Sequence, residues 1–160
     1  MTIARFDRVA GVQYQQDAAH LTDPMPLSEI PLPARATAGS AGYDFVCSAE
    51  VALAPGESVV IPTGVRAFME SGWVLLIFPR SGLGFRHHLR LANTTGVIDS
   101  DYVHAANEGH ILVKIVNGSD HAVTIGRGER FCQGVFVPYG LAEEADRPGD
   151  RSGGLGSTGR

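Results

Sequence analysis

The amino-acid sequence predicts an all-β domain. Short apolar and β-branched runs recur along the chain, each about as long as one strand. Pairs such as Pro55-Gly56 and Asn117-Gly118 separate these runs and are typical of tight turns. Many short strands divided by turns are typical of sandwiches and barrels. The clearest strand candidates are residues 51–54, 58–61, 65–68, 73–78 and 111–116.

Helical signals are confined to one place. Residues 81–88 predict a single short helix, and the Ser81 hydroxyl at its start can cap a helix N-terminus. The strand predicted just before it is strongly apolar and ends at Pro79-Arg80. The predicted fold is therefore a set of antiparallel strands with one helical turn or two.

The composition is that of a globular protein that does not enter a membrane. With 160 residues, 44% of them hydrophobic and 19% charged, the chain is long enough for one domain with a proper core. No apolar run approaches the roughly 20 residues that span a bilayer. The net charge of −4 argues against a broad nucleic-acid-binding surface. It leaves room for a small anionic ligand bound by a few arginines.

The N-terminal sequence and the two cysteines both favour a protein of the reducing cytoplasm. The N-terminus lacks a basic segment followed by an apolar block and a cleavage site, so we expect a cytoplasmic protein. Cys47 and Cys132 are far apart and neither belongs to a CxxC pair. We therefore expect two buried free thiols rather than a zinc site or a disulfide.

The chain divides into three segments. Residues 1–30 form an N-terminal extension, 31–140 the β domain and 141–160 a glycine-rich C-terminal arm. Residues 3–9 alternate weakly and predict a strand that pairs with the main body or with a neighbouring subunit. The arm is too poor in apolar residues to fold alone. It is either a disordered tail or an arm whose glycine N–H groups and arginine surround an anion.

The segment 96–102, GVIDSDY, is the strongest single indication of chemistry. Val97 and Ile98 are suited to a half-buried strand, and Asp99 follows directly after it. A strand can hold this carboxylate rigidly while the Tyr102 ring closes over the same place. That arrangement suits a general base beside a ring-shaped substrate. The alternative interpretation is an ordinary acidic hairpin turn.

Three further segments carry polar groups that could bind a ligand, an anion in the first and a metal ion in the last. PRSGLG at 79–84 offers an arginine and exposed amides at a helix start, or simply a capped turn. RGERFCQ at 127–133 is a tight turn that enters a strand, and its alternative is a surface hairpin. AGYDF at 41–45 places Asp44 within an apolar stretch, where an unpaired charge is costly. Asp44 must therefore bond to the backbone or to water on a metal ion.

In chain order, five segments resemble the five motifs of the trimeric deoxyuridine triphosphate nucleotidohydrolases (dUTPases). The resemblance runs from residue 31 to residue 159 and implies a distorted jelly-roll (β-clip) subunit in a homotrimer. It also implies hydrolysis of dUTP to dUMP and pyrophosphate with Mg²⁺, at sites shared between subunits. The segments are AGYDF, PRSGLG, NTTGVIDSDY at 93–102, RGERFCQ and RSGGLGSTG at 151–159.

The resemblance implies a role for each matching residue. Asp99 is expected to orient and deprotonate the attacking water, and Tyr102 to press on the deoxyribose and exclude a 2′-hydroxyl. Asp44 is expected to hold waters of the magnesium ion. The other substrate-binding residues are Asn93, Gly96 and Ile98 at the uracil, Arg80, Ser81, Gly82 and Gln133 at the α- and β-phosphates, and Arg151, Leu155, Gly156, Ser157 and Thr158 in the arm.

The chain departs from the family pattern at three places. Residues 103–110 form a longer connection than usual after Tyr102, and we expect its His104 and His110 to be solvated. Leu155 stands where a phenylalanine commonly stacks on the uracil, a loss of about 1 kcal/mol. One residue fewer separates Arg151 from Leu155 than in the commonest arm, so either Arg151 keeps its phosphate role with an altered loop or the role implied for it is wrong.

Two alternatives to dUTP hydrolysis remain at this point. Deoxycytidine triphosphate deaminases share the jelly-roll trimer, but the segment 96–102 and the glycine-rich arm favour phosphoanhydride cleavage over attack on the base. A dUTPase-like regulator that binds nucleotide to control a protein partner is the second alternative, and the long connection after Tyr102 keeps it open. Ammonia release from dCTP indicates the first, and dUTP binding without turnover indicates the second.

Overall fold

The structure is a computed structural model and describes residues 2–143. In this part of the chain, twelve short strands are interrupted by two α-helices and two 3-10 turns. The strands are β1 (Ala4–Arg8), β2 (Ala34–Arg35), β3 (Tyr43–Val46), β4 (Val51–Leu53), β5 (Ser58–Pro62), β6 (Val65–Met69), β7 (Trp73–Pro79), β8 (Leu89–Leu91), β9 (Gly96–Ile98), β10 (Leu112–Asn117), β11 (Val123–Ile125) and β12 (Arg130–Pro138). The helices are α1 (Gly11–Ala18) and α2 (Ser81–His87), and the 3-10 turns are Leu27–Glu29 and Tyr102–His104.

The strands form antiparallel sheets, which confirms the predicted all-β class. The largest sheet has the order β2-β3-β12-β7-β9, and a second has the order β5-β10-β8. Two further pairs, β1-β6 and β11-β4, complete the described strands. The five clearest strand predictions correspond to β4, β5, β6, β7 and β10, with ends shifted by at most one residue.

Side chains that alternate along the strands build one main core. In β7, Leu75 and Ile77 are buried while the residues between and around them are only partly covered. In β10, Val113 and Ile115 alternate with exposed or partly covered residues in the same way. Alternate residues of a strand face the same side of a sheet. The two larger sheets therefore press their apolar faces together, with Phe45 and Phe131 among the largest buried side chains.

The N-terminal segment is joined to the body by a strand and a small apolar cluster. Strand β1 pairs with β6 from Ala4↔Met69 to Arg8↔Val65, so the strand predicted over residues 3–9 pairs with its own subunit. Helix α1 was not predicted. It buries only Tyr14 and Ala18, which is too small an apolar stripe to be recognised in the sequence. These two residues pack with Val9 and Ile30.

Helix α2 confirms the predicted helix but not its predicted cap. Arg80, not Ser81, stands at the N-cap position with an extended backbone, and no side chain there caps the helix. Ser81 is the first helical residue and is exposed. His88 ends the helix in the left-handed conformation, with φ of 50°, and its N–H donates to the carbonyl of Gly84.

A substitution at Gly109, in the connection after Tyr102, measures how closely that loop is packed. Its φ is +74°, and a Cβ there would lie 2.6 Å from the Val103 Cα. Gly56 has a similar φ of +78° but open space around it. We expect Gly109→Ala to lower the free energy of unfolding by about 1–3 kcal/mol more than Gly56→Ala, measured by urea unfolding. Equal losses in the two variants would contradict the close packing of this loop.

Candidate active site

A pocket of about 230 Å³ lies where the chain crosses between the two larger sheets. Strand β8 belongs to one sheet and β9 to the other, so the connection between them spans the gap. This volume is below the roughly 300 Å³ at which pockets for drug-sized ligands begin, so it suits a single ring better than a whole nucleotide. The pocket is lined by Ile77, Leu91, Asn93, Thr95, Gly96, Val97, Ile98, Tyr102, Ile111, Leu112 and Val113.

The turn at the pocket mouth is tight and strained. Thr94 has a φ of 67°, which is unfavourable for a β-branched residue and costs on the order of 1–3 kcal/mol. Its N–H donates to the Leu91 carbonyl at 3.1 Å, and the Thr95 N–H donates to the Asn93 carbonyl at 2.7 Å. These bonds hold the exposed Asn93 at the mouth, the location predicted for the residue that reads the base edge.

Gly96 allows β9 to approach β7 closely beside the pocket. A Cβ on Gly96 would lie 3.0 Å from the Ile77 Cβ, closer than such atoms normally pack. The paired register continues through Leu75↔Ile98, which turns Ile98 toward the core. Two of the predicted substrate-binding residues, Gly96 and Ile98, therefore form one wall of the pocket.

Asp99 and Tyr102 differ in exposure and in their relation to the pocket. Asp99 follows the last residue of β9 and is exposed, whereas Tyr102 is only 5% exposed and lines the pocket. The Tyr102 hydroxyl donates to the His110 carbonyl at 3.0 Å and accepts from the Asn107 side-chain amide at 2.8 Å. Sequence reasoning assigned no role to Asn107.

His110 contradicts the prediction that both histidines of this loop are solvated. His104 is exposed as predicted, but His110 is fully buried. Its Nε2 accepts a hydrogen bond of 2.8 Å from the Gly64 N–H, and its Nδ1 lies 2.5 Å from an oxygen of Asp17 in α1. The prediction was wrong because Asp17 is 93 residues away in sequence, beyond the reach of local patterns.

The bonding partners of His110 determine its protonation state. A backbone N–H can only donate, so Nε2 must present its lone pair to Gly64 and the proton must sit on Nδ1, facing Asp17. His110 is therefore neutral in the folded protein. Burial lowers the pKa of His110 below the ordinary histidine value, and the hydrogen bond and charge of Asp17 oppose that effect.

A second polar cluster lies on the other face of the five-stranded sheet. Asp44 stands opposite Gln133, and Gln133 stands opposite Phe78, so all three share a face with Arg80 two residues further along. The Asp44 carboxylate lies 3.5 Å from Arg80 Nε and 3.0 Å from a guanidinium nitrogen of Arg130. The predicted residues Asp44, Arg80 and Gln133 are thus brought together, with Arg130 as an addition that sequence reasoning did not select.

Gly42 leaves room for the Gln133 side chain in this cluster. A Cβ at Gly42 would lie 2.5 Å from Gln133 Oε1. Ser81 and Gly82 follow Arg80 in the exposed first turn of α2, at the edge of the same cluster. Two arginines against one carboxylate leave a local positive charge that suits an anion.

The pocket and the charged cluster are separated within one chain. Ile98 pairs with Leu75, whereas Arg80 lies just after β7, five residues beyond Leu75 and about 16 Å away at roughly 3.3 Å per residue. The two groups also occupy opposite faces of the sheet. One chain therefore does not bring Asp99 together with Asp44, Arg80 and Gln133.

The arm residues Arg151, Leu155, Gly156, Ser157 and Thr158 lie outside the described residues. Among residues 2–143, no three histidine, cysteine or acidic side chains are grouped so that they could hold a metal ion. No helix in the same part of the chain is long and apolar enough to cross a membrane. Cys47 and Cys132 are both buried free thiols, as predicted.

The fold described above, antiparallel sheets around one main core, is also that of solved dUTPase structures. A dUTPase from Streptococcus mutans matches with a TM-score of 0.68 and 37% identity, over 86% of this chain and 98% of that one. A dUTPase from phage phi11 of S. aureus matches with a TM-score of 0.68 and 21% identity, which bears on the fold alone. That match covers 94% of this chain and 99% of the other.

The chain belongs to the dUTPase family. The dUTPase family model matches residues 28–159. The deoxyuridine 5′-triphosphate nucleotidohydrolase of Lactococcus lactis is 44% identical over 133 residues, which are 81% of this chain and 89% of that protein. The enzyme of the same name from Pseudomonas syringae pv. tomato is 41% identical over 149 residues, 88% and 95% of the two chains. The family resemblance noted in the sequence is confirmed.

The neutral state of His110 predicts how stability depends on pH. Because burial lowers the pKa of the folded state, the unfolded chain binds the proton more tightly, and the free energy of unfolding falls as the pH drops below about 6.5. Above that pH the contribution is fully present. Asp17, Glu108 and Tyr14 are the titratable groups that face His110.

Urea unfolding between about pH 7.5 and 5.5 measures this effect. We expect wild type to lose more stability over this range than His110→Gln, which has no imidazole to protonate. His104→Gln is the matched control from the same loop and should retain the wild-type pH dependence, because His104 is exposed. Identical pH dependence in wild type and His110→Gln would contradict the assignment.

Proposed function

We propose that the protein hydrolyses dUTP to dUMP and pyrophosphate with magnesium, and so keeps uracil out of DNA and supplies dUMP for thymidylate synthesis. The observation that carries the proposal is the ring-sized pocket lined by Asn93, Gly96, Ile98 and Tyr102, with Asp99 directly after Ile98 in the chain. Membership of the dUTPase family and the names of relatives that are 44% and 41% identical support the same substrate.

In the proposed mechanism the base occupies the pocket between the sheets, and the sugar lies at its Tyr102 end. Asn93 and the backbone near Gly96 and Ile98 pair with the uracil edge, and a donor–acceptor pattern of this kind rejects cytosine by leaving buried groups unpaired. Tyr102 packs against the deoxyribose. Asp99 accepts a proton from the water that attacks the α-phosphorus, while the bond from that phosphorus to the pyrophosphate oxygen breaks.

The charged cluster is proposed to hold the phosphates. Arg80, Ser81, Gly82 and Gln133 contact the α- and β-phosphates, where fixed donors stabilise the charge that develops on the leaving pyrophosphate. Magnesium neutralises phosphate charge when the nucleotide is bound. Asp44 would hold waters of this ion rather than the ion itself, which suits a single carboxylate because Mg²⁺ in such sites retains several waters.

The separation of the two clusters supports a site shared between subunits. Because the two clusters lie on opposite faces of the sheet and Arg80 is about 16 Å of strand beyond Leu75, Asp99 of one subunit is proposed to meet Arg80, Asp44 and Gln133 of another. A homotrimer with closed cyclic symmetry repeats such a contact at each interface. Arg151, Leu155, Gly156, Ser157 and Thr158 of an arm are proposed to close over the base and γ-phosphate.

Pyrophosphate release tests the activity directly. We expect release from dUTP and far less from dTTP, dCTP or UTP, and we expect magnesium to be required. Ammonia release from dCTP without pyrophosphate from dUTP would replace the proposal by deamination. Normal dUTP binding without turnover would replace it by a regulatory role.

Asp99→Asn tests the proposed base. The amide cannot accept the water proton, so we expect turnover of dUTP to fall by about 10²- to 10⁴-fold, with near-normal binding of a non-hydrolysable dUTP analogue measured by calorimetry. Asp101→Asn, two residues away and also exposed, is the matched control and should retain most activity. Near-normal turnover in Asp99→Asn would remove Asp99 as the base.

Mixed oligomers test whether the site is shared. Asp99→Asn and Arg80→Ala chains should each be inactive alone. After refolding together, a site that takes Asp99 from one variant and Arg80 from the other is intact, so about one quarter of the sites recover in a random trimer. The same variants refolded separately and then mixed are the control. Failure to recover activity in the mixed oligomers would place both residues in one chain's site.

A further inference from the structure

We propose that Asn107, together with the Asp17–His110 pair, positions Tyr102 and thereby sets the discrimination between dUTP and UTP. The inference rests on the proposed function, since it concerns the same pocket. It goes beyond the proposed function because it assigns a role to the 103–110 loop and to helix α1. Neither Asn107 nor His110 contacts the pocket by the lining described above, so both act through Tyr102.

The Tyr102 hydroxyl is held from two directions. Asn107 Nδ2 donates to it at 2.8 Å, and the hydroxyl donates its proton to the His110 carbonyl at 3.0 Å. A hydroxyl has one proton, so accepting from Asn107 while donating to His110 fixes its orientation. The ring is 5% exposed, which leaves it little freedom to tilt. The 103–110 loop therefore determines how the Tyr102 ring is oriented toward the pocket.

The loop is folded back on itself so that Asn107 cannot easily move. The Gly109 N–H donates to Asn107 Oδ1 at 3.2 Å, and the His110 N–H donates to the Asn107 carbonyl at 3.0 Å. The Glu108 N–H donates to the Ala105 carbonyl at 2.8 Å. Asn107 thus uses its oxygen to close the turn and its nitrogen to hold Tyr102.

Helix α1 anchors the far end of the loop. His110 bonds Asp17 of α1 on one ring nitrogen and the Gly64 N–H on the other, and its carbonyl is the acceptor for Tyr102. Glu108 accepts a bond of 2.9 Å from the Ala10 N–H just before α1. The match to the dUTPase family begins at residue 28, so Asp17 contributes from outside it.

The expected consequence concerns selectivity more than chemistry. A ring held at fixed distance leaves no room for a ribose 2′-hydroxyl, whereas a ring that can shift admits one. The attacking water and Asp99 are not part of this contact set. Loss of the Asn107 bond should therefore raise the use of UTP relative to dUTP while changing dUTP turnover less.

Asn107→Asp is the sharpest variant. It keeps the oxygen that accepts from Gly109 and removes the N–H groups that donate to the Tyr102 hydroxyl at 2.8 Å and, more weakly, to the His110 carbonyl at 3.3 Å. We expect the ratio of kcat/KM for dUTP to that for UTP to fall by about three- to tenfold, in line with the loss of the shorter of these bonds. Asp17→Asn should produce a smaller fall of the same kind. His104→Gln and Gln15→Ala, both exposed, are matched controls in the loop and in α1 and should retain the wild-type ratio.

A double-mutant cycle separates positioning from general loosening of the structure. If Asn107 acts through the Tyr102 hydroxyl, Asn107→Asp should have little further effect on the ratio in a Tyr102→Phe background. Additive effects, or a wild-type ratio in Asn107→Asp, would overturn the inference. Calorimetry with non-hydrolysable dUTP and UTP analogues gives the same comparison without turnover. Wild type that fails to bind the dUTP analogue contradicts the proposed function itself, whereas binding without discrimination against the UTP analogue contradicts this inference.

Discussion

Strand β7 is the constraint on which both halves of the candidate site depend. It pairs with β9 along one edge and with β12 along the other, so its register fixes Ile98 near one end and Gln133 near the other. Its alternation sends Leu75 and Ile77 into the core and leaves the outer face to the charged cluster. The pocket and the cluster therefore cannot be brought together by small side-chain adjustments. Within one chain they stay apart, which is why the proposed site combines residues of two subunits.

Local patterns were sufficient for β4, β5, β6, β7, β10 and α2, because alternation and turn residues are read within a few positions. Asp44, Arg80 and Gln133 were selected by the family resemblance, and the pairing of β3, β12 and β7 brings them close together. Long-range contacts were beyond such reading. His110 looks like a loop histidine until Asp17 and Gly64 are placed against it. Helix α1 escaped prediction for the same reason, since its stability comes from packing rather than from its sequence.

The buried polar contacts around Tyr102 explain why residues 103–110, a longer connection than the family usually has, adopt a defined conformation. Asn107, His110 and Asp17 bring several polar groups out of water, and each has a partner within hydrogen-bond distance. Removing one partner of a buried pair costs more than the bond itself contributes, because the other group loses its solvation without compensation. Such contacts favour one arrangement of the loop over alternatives of similar compactness.

The two halves of the site are held by different forces, and they should respond differently to their surroundings. Asp44, Arg80 and Arg130 are joined by charge, and the arginines are partly exposed, so salt weakens their mutual attraction and their attraction for phosphate. The pocket is shaped by the close approach of Gly96 to Ile77 and by bonds inside the loop, which salt hardly affects. The shape of the pocket is therefore set by the folded chain itself, whereas the charged cluster is sensitive to ionic conditions.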